Sequence, residues 1–394
     1  MRRLLSIATL YPNAHQPRFG TFVAKQMEAL AARGDWDVTV INPIGVPPLA
    51  LGRYAALARV VGSEVVRDVT VHRPRFTLIP AVGGPINPAM IARAVLPLVE
   101  KLHALAPFDL VDAQFFYPDG PAAARVAQRL GLPLAIKARG ADVHFWGAKA
   151  YARRRMLRAA EQAAGLLAVS DALAGDMAAL GIARERIAVH YTGLDRAVFR
   201  PLDRRESRTR LSAHFGIALP PDGPVLATVG ALIPRKGQIY VLRALEQLPG
   251  AHLLLAGAGP DRAMLEGFAR TSGIAPRVHF LGSLDNALLP TVLSAADAMA
   301  MPSSSEGLAN AWVEALACGT PVVIADAGGA RELVTRPEAG RIVAREAEPI
   351  AAALRELLAT PPGREAVAGC AARFSWEANA AELAACYERL ASAA

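Results

Sequence analysis

The stretch SSSEGLANAWVEALACGTPVV, residues 303–323, sets two carboxylates, Glu306 and Glu314, around a predicted helix start at Ala309 or Asn310. Full helical spacing would part them by about 12 Å and turn them some 80° about the axis. They are not a close pair sharing one proton, so each is expected to address a different part of one extended ligand. Carboxylates accept well from vicinal hydroxyls, which sugars and riboses offer. The backbone N–H groups near Gly307, Leu308 and Ala309 add the partial positive charge of a helix start, which favours a phosphate. The plainer alternative is ordinary stabilisation of a helix N-terminus by acidic residues.

Other loops carry complementary chemistry. PVLATVGALIPRKGQ ends a strand and supplies Arg235, Lys236 and Gly237, which suit a diphosphate. Alone, such a turn is usually just solvated. In YPNAHQPRFGTFVAKQ, Gly20 and Thr21 stand at a helix start, where backbone N–H groups can approach a phosphate. AHLLLAGAGPDR begins like a dinucleotide fingerprint at Gly257 and Gly259, but Arg262 occupies the third glycine position. The nicotinamide reading fails there, and the glycines are read as a tight turn. Asp35 and Asp37 precede a strand, on the wrong edge of a parallel sheet for a metal-diphosphate site. Nothing else groups metal ligands, so no metal is expected.

Elements must hold these loops. Short runs that are apolar nearly throughout (LLSIATL, DVTVINPI, DLVDAQFF, PLAIKA, GLLAVS, RIAVHY, then PVLATVGAL, AHLLLAGAG, RVHFLGS, AMAMPS, PVVIAD) alternate with helical patterns. Strands buried on both faces mean parallel sheets covered by helices. The expectation is α/β: two doubly wound, Rossmann-like domains, 1–200 and 201–375, facing across a cleft, with a terminal helical segment 376–394. The boundary is placed at the polar stretch LDRRESRTR. Ligands in such sheets sit beyond the carboxyl ends of the strands.

Composition agrees with that plan. A chain of 394 residues exceeds one ordinary core, and 53% hydrophobic content reads as globular. Cys318, Cys370 and Cys386 are too few and scattered for a disulfide frame or zinc site, which fits a reducing cytosol. MRRLLSIATLYP has too short an apolar run and no cleavage pattern for a signal peptide, so it is read as a first buried strand. No stretch is long enough to span a membrane, and a soluble or peripheral protein is expected. Residues 1–200 hold 25 Lys and Arg against 15 Asp and Glu; the remainder has 18 against 20. The basic excess lies wholly in the first half. It either reflects an Arg-rich composition or marks an anionic partner.

Together these motifs resemble the retaining glycosyltransferases of family 4, which have the GT-B fold. The family's Glu-x7-Glu signature stands at Glu306 and Glu314, followed by EALACGTPVV; VGALIPRKG, the FLG of HFLGSL, GLDRAVFRP and AVSDAL also match. The resemblance implies that Glu306 holds donor-sugar hydroxyls, with the Gly307, Leu308, Ala309 and Asn310 backbone beside them. It implies that Glu314 holds the nucleotide ribose and Lys236 the diphosphate, with Gly20 and Thr21 meeting it from across the cleft. It further implies a C-terminal helix crossing back to the first domain and metal-free, cofactor-free transfer with retention. The leaving phosphate would accept the proton of the incoming hydroxyl.

Two positions depart from the pattern. Ala231 stands where the family commonly has Arg, so Arg235 or a first-domain arginine must replace one diphosphate cation. In KARGADVHFW, Arg139 stands where the family often has His. Arg139, Asp142 and His144 of this loop, with Glu306, are the candidate catalytic residues; His144 is equally readable as a structural loop histidine. The expected partners are a nucleotide-sugar donor and a glycan or polyprenyl-diphosphate-linked acceptor, as in bacterial cell-surface polysaccharide synthesis. Arg154, Arg155 and Arg158, near Trp146, suit an anionic acceptor, and the apolar segment 44–62 could touch an anionic membrane surface. The rivals are an epimerase or hydrolase on the same fold and a non-catalytic nucleotide-sugar binder. Nucleic acid is not expected, because the basic excess lacks interleaved aromatics or a known motif.

Overall fold

The computed structural model describes residues 1–80 and 82–393, with only the backbone of Arg53. In chain order the strands are β1 (Arg2–Ile7), β2 (Trp36–Ile41), β3 (Ile44–Val46), β4 (Gly62–Val66), β5 (Val69–Arg73), β6 (Arg75–Thr77), β7 (Leu110–Ala113) and β8 (Leu134–Ala138). They continue as β9 (Gly165–Ala168), β10 (Ile187–Val189), β11 (Val225–Val229), β12 (His252–Ala256), β13 (Val278–Gly282), β14 (Ala298–Met301), β15 (Val322–Ala325) and β16 (Gly340–Val343).

Two large sheets result, ordered β10-β9-β8-β7-β1-β2-β5-β4 and β13-β12-β11-β14-β15-β16, beside a small β3-β6 ribbon. Every pairing in the large sheets is parallel except β4 with β5. Strands β7, β8, β11, β14 and β15 are buried at every position, as strands covered by helices on both faces must be. Strand β4 is the opposite case, exposed throughout at the sheet's edge. Its sequence GSEVV therefore carries no burial pattern that could have announced it.

The chain forms two compact units, Met1–Gly193 with Trp376–Ala394, and Leu194–Ser375. The unit break precedes the polar stretch at 200 because the intervening residues are already anchored in the second unit. Leu194 and Phe199 are buried, Arg196 donates to the Ala371 carbonyl at 2.9 Å, and the Leu202 N–H donates to Ser294 Oγ at 3.2 Å.

The C-terminal helix Trp376–Ser392 belongs to the first unit. Tyr387 is fully buried and meets the Trp36 ring edge-on at 5.9 Å. Asn379 donates to the Tyr191 carbonyl at 2.6 Å, and its own carbonyl lies 2.9 Å from His190 Nε2. That nitrogen can only donate to a carbonyl, so His190 Nδ1 accepts from Lys137 Nζ at 2.6 Å. Lys137 also donates to Gln26 at 3.0 Å. Burial holds the pKa of this lysine well below its ordinary value.

One glycine sets the closeness of this docking. A Cβ on Gly193 would lie 2.1 Å from the rigid ring of Trp376. Gly193→Ala should therefore lift the helix start and destabilise the protein by about 1–3 kcal/mol. Amide exchange across 376–392 should accelerate before the rest of the first unit; unchanged exchange there would refute this account of the contact.

Candidate functional site

Strands β11 and β14 are neighbours at the centre of the second sheet. The loop after β11 carries Arg235 and Lys236, and the loop after β14 carries Glu306. The structure brings the three together: Lys236 Nζ lies 2.5 Å and Arg235 NH1 3.1 Å from Glu306 Oε1. The Glu306 and Lys236 side chains are only 9% and 13% exposed, so water screens this pair little. Arg235 also donates to the Ser305 carbonyl, and its own carbonyl accepts from the Ser304 N–H at 2.8 Å. The cations expected to wait open for a diphosphate are thus paired with the acid expected to hold hydroxyls. Each of these buried charges needs the other.

Glu314 lies in the helix Asn310–Ala317, while Glu306 lies in the loop before it, so the two are not on one helix face. Asn310 opens that helix, and Leu308 and Ala309 are buried before it. Burial among apolar neighbours pushes the Glu314 carboxyl up to about 7.

The loop between these acids is held from outside by a pair that sequence reading passed over, Gly328 and Gly329 after β15. Gly329 N–H donates to the Gly307 carbonyl at 2.7 Å. Gly328 has φ +52°, and a Cβ there would sit 2.3 Å from the Glu306 carbonyl oxygen. Only glycine allows that approach. The repeated glycine of ADAGGA was the available signal. Gln238 was also missed: it is buried and donates to the Ala231 carbonyl at 2.9 Å. Gly257 backs directly onto the Gly230 carbonyl, in a close packing of loops.

In the first unit, Gly20 caps the helix Thr21–Ala31 with φ 71°. Arg139 reaches this helix. Its guanidinium lies 5.1 Å from the Phe22 ring centroid and donates to Gln26 at 3.3 Å, to the Gln114 carbonyl at 3.3 Å and to the Gln114 side chain. Two of the three guanidinium nitrogens, Nε and NH2, are thus engaged by interior acceptors of the first unit, which argues against Arg139 as a free diphosphate cation. Burial lowers its pKa to about 10.

Asp142, expected among the catalytic residues, is corrected more firmly. It is fully buried, and its carboxylate accepts from the N–H groups of Phe116 (2.7 Å), Arg139 (3.0 Å), Gly140 (2.8 Å) and Val143 (3.1 Å). Its task is to fold the loop into the π-helical turn Asp142–Trp146.

His144 projects from that turn to Asp176, with Nε2 2.8 Å from Oδ2. The pair lines a cavity of about 600 Å³ shared with Arg153, Arg154 and Leu157. Sequence reading had Arg154 but not Asp176, which stands 32 positions after His144. Exposed Phe145 lies nearby under Lys149, whose Nζ is 4.6 Å from the ring centroid. Among the described residues, no helix is long and apolar enough to cross a membrane.

Comparison with known proteins fits this arrangement of loops. Residues 20–198 match the family model described as Glycosyltransferase Family 4, and residues 210–373 that described as Glycosyl transferases group 1. D-inositol 3-phosphate glycosyltransferase of Mycobacterium marinum is 39% identical over 216 residues, 52% of this chain and 45% of that one. The Mycobacterium bovis protein of the same name is 41% identical, over 52% and 44%. The match thus spans less than half the length of these relatives. Among solved structures, sucrose-phosphate synthase from Thermosynechococcus elongatus superposes with a TM-score of 0.80 at 21% identity, covering 100% of both chains. Anabaena HepE in complex with UDP gives 0.74 at 22% identity, covering 99% of this chain and 100% of that one. With both halves matched by family models and the fold shared along its whole length, the chain belongs to glycosyltransferase family 4, of GT-B type.

Proposed function

We propose that the protein transfers a hexose from a nucleotide-diphosphate sugar to a phosphate-bearing or lipid-linked glycan acceptor, with retention of configuration. The observation that carries this reading is the triple contact of Lys236, Arg235 and Glu306. A diphosphate arriving at the turn takes over the two cations. Glu306, released, needs new hydrogen-bond donors, and sugar hydroxyls supply them. Glu314 takes the ribose hydroxyls one helical turn further on. The bond from the anomeric carbon to the leaving phosphate oxygen breaks, the acceptor oxygen bonds on the same face, and its proton passes to the phosphate. No protein base is then required, in keeping with the internal role of Asp142. The names of the mycobacterial and cyanobacterial relatives include phosphorylated compounds, and the basic first half suits an anionic acceptor. A role in bacterial cell-surface polysaccharide synthesis, at the cytoplasmic face of the membrane, follows the family. Exposed Leu49 and Leu51 are the apolar side chains that would meet lipid.

Calorimetric titration with UDP, GDP and ADP, and with each base's hexose conjugate, tests the reading. One base series should bind, and its sugar conjugate should bind more tightly than the bare diphosphate, which frees Glu306 without offering it hydroxyls. Lys236→Ala should weaken that series by about tenfold or more, as loss of a hydrogen-bonded charge partner does. No binding by any series would sink the proposal. Donor consumption without acceptor would instead identify a hydrolase or epimerase. Binding without turnover across a panel of acceptors would identify a non-catalytic binder.

Glu314 gives a pH test. Its folded pKa, about 7, lies above the ordinary 4.5, so between those values the folded state holds a proton the unfolded chain has released. Stability from this group is complete below pH 4.5 and declines as pH rises to 7. Glu314→Gln should therefore gain in Tm relative to wild type as pH rises through that window. Nucleotide affinity in the wild type should rise over the same range, as the carboxylate ionises, and this slope should flatten in the variant. A Tm difference independent of pH would refute the shifted carboxyl.

A further inference from the structure

We propose that Arg345, just beyond β16, is a positioning residue that holds the Arg235–Lys236 turn and the Glu306 loop in register while their ion pairs are exchanged for ligand. This rests on the donor-site reading above.

Its guanidinium touches both loops at once. Nε donates to the Pro302 carbonyl at 2.8 Å; NH2 donates to the Pro234 carbonyl and lies 3.5 Å from that of Arg235. The group stacks on Tyr240, 4.8 Å from the ring centroid, which fixes its plane. A Cβ added at Gly237 would come within 3.2 Å of Nε and 2.5 Å of the Pro302 carbonyl oxygen, so the fit is close on that side as well.

The links between the two loops divide into two kinds. Lys236 and Arg235 reach Glu306 through bonds that a diphosphate and a sugar must replace. Arg345 and the Ser304 N–H reach backbone carbonyls, which the ligand does not need. Pro234 and Pro302 have no N–H, so at these positions the loops cannot hydrogen-bond to each other directly. To tie these two carbonyls together takes an external donor with two arms, and a planar guanidinium provides it. A lysine in its place is a single point donor on a flexible stem and cannot span both carbonyls in one plane. Once the ion pairs open, Arg345, together with the Ser304 N–H on the Arg235 carbonyl, keeps the cations and Glu306 at the spacing that the ligand reads.

The test compares Arg345→Ala, Arg345→Lys and, as a remote loss of charge, Arg205→Ala, whose arginine pairs with Asp222 on the surface. Two readouts are taken: Kd for the nucleotide sugar that wild type binds, and amide exchange over 233–237 and 303–309. Arg345→Ala and Arg345→Lys should each weaken donor binding by about tenfold or more and speed exchange in both loops together. Arg205→Ala should do neither. Ethylguanidinium at tens of millimolar, well below denaturing levels, should restore part of the affinity of Arg345→Ala but not of Arg345→Lys, whose side chain fills the slot. Wild-type affinity in either variant, or weakened binding with unchanged exchange in the two loops, would overturn the proposal. Should Arg345→Ala fail to fold, Arg345→Lys alone decides by the same two readouts. Wild-type protein that binds no nucleotide sugar would overturn the donor-site reading and this proposal with it, a result distinct from equal binding by wild type and variant.

Discussion

The near-complete burial of the Glu306 carboxylate governs the second unit. An acid only 9% exposed that loses its partner is destabilising by about 3–5 kcal/mol, so the loops around it must deliver compensating charge or hydrogen-bond donors in every state. Lys236 and Arg235 do so here. The surrounding devices make this delivery accurate: the Gly328–Gly329 pair presses on the carbonyls of 306 and 307, and Arg345 laces the two loops. Ligand entering such a site cannot simply fill a gap. Under the proposed reading it exchanges partners with groups already paired, which selects for a molecule carrying negative charge and hydroxyls at fixed separation.

The first unit obeys the same rule with the opposite outcome. Its polar groups beneath the helices Thr21–Ala31 and Trp376–Ser392 bond mainly to one another: Ser6 and Gln114 donate to Asp112 Oδ2, Gln26 donates to Gln114, and Lys137 donates to Gln26 and His190, while Asp112 Oδ1 is buried with no partner. Asp142 is satisfied by four backbone N–H groups of its own neighbourhood. Titratable side chains in such surroundings organise loops and dock the terminal helix. Whether a conspicuous residue serves chemistry or architecture is thus decided by where its bonding partners come from, and residue type alone does not reveal that.

This explains what could and could not be read in advance. The buried parallel strands were legible because both faces are covered and the run is apolar throughout. β4, exposed at every position, had no such signal. Glu306 and the Arg235–Lys236 turn, which the structure brings together, were legible because side-chain chemistry at fixed spacing marks them. Asp142 sat in the same kind of loop with the same chemistry, but its partners are main-chain N–H groups that any sequence supplies. Arg345 was invisible for the mirror reason: it binds carbonyls of residues far away in the chain, and no spacing encodes that. The unit break was misplaced toward residue 200 because polarity was taken as the marker, whereas burial of Leu194 and Phe199 decides it.

The substitution at Ala231 can now be weighed against the cations that remain. Arg139 is largely engaged inside the first unit, with Nε and NH2 on Gln114 and Gln26. Within the second unit, Lys236 and Arg235 are the cations on Glu306. They are not equivalent. Lys236 is 13% exposed and lies 2.5 Å from the acid, whereas Arg235 is 43% exposed, lies at 3.1 Å and is partly engaged by the Ser305 carbonyl. An exposed charge is screened by water and salt and contributes little; a buried one contributes through the low dielectric around it. Under the proposed reading Lys236 therefore bears most of the diphosphate charge and Arg235 trims it. Gln238, holding the Ala231 carbonyl, preserves the backbone course of the turn without restoring the lost cation. A site with one dominant cation depends more on the accuracy of that cation's placement than a site with three, which is why a backbone clamp such as Arg345 belongs beside it.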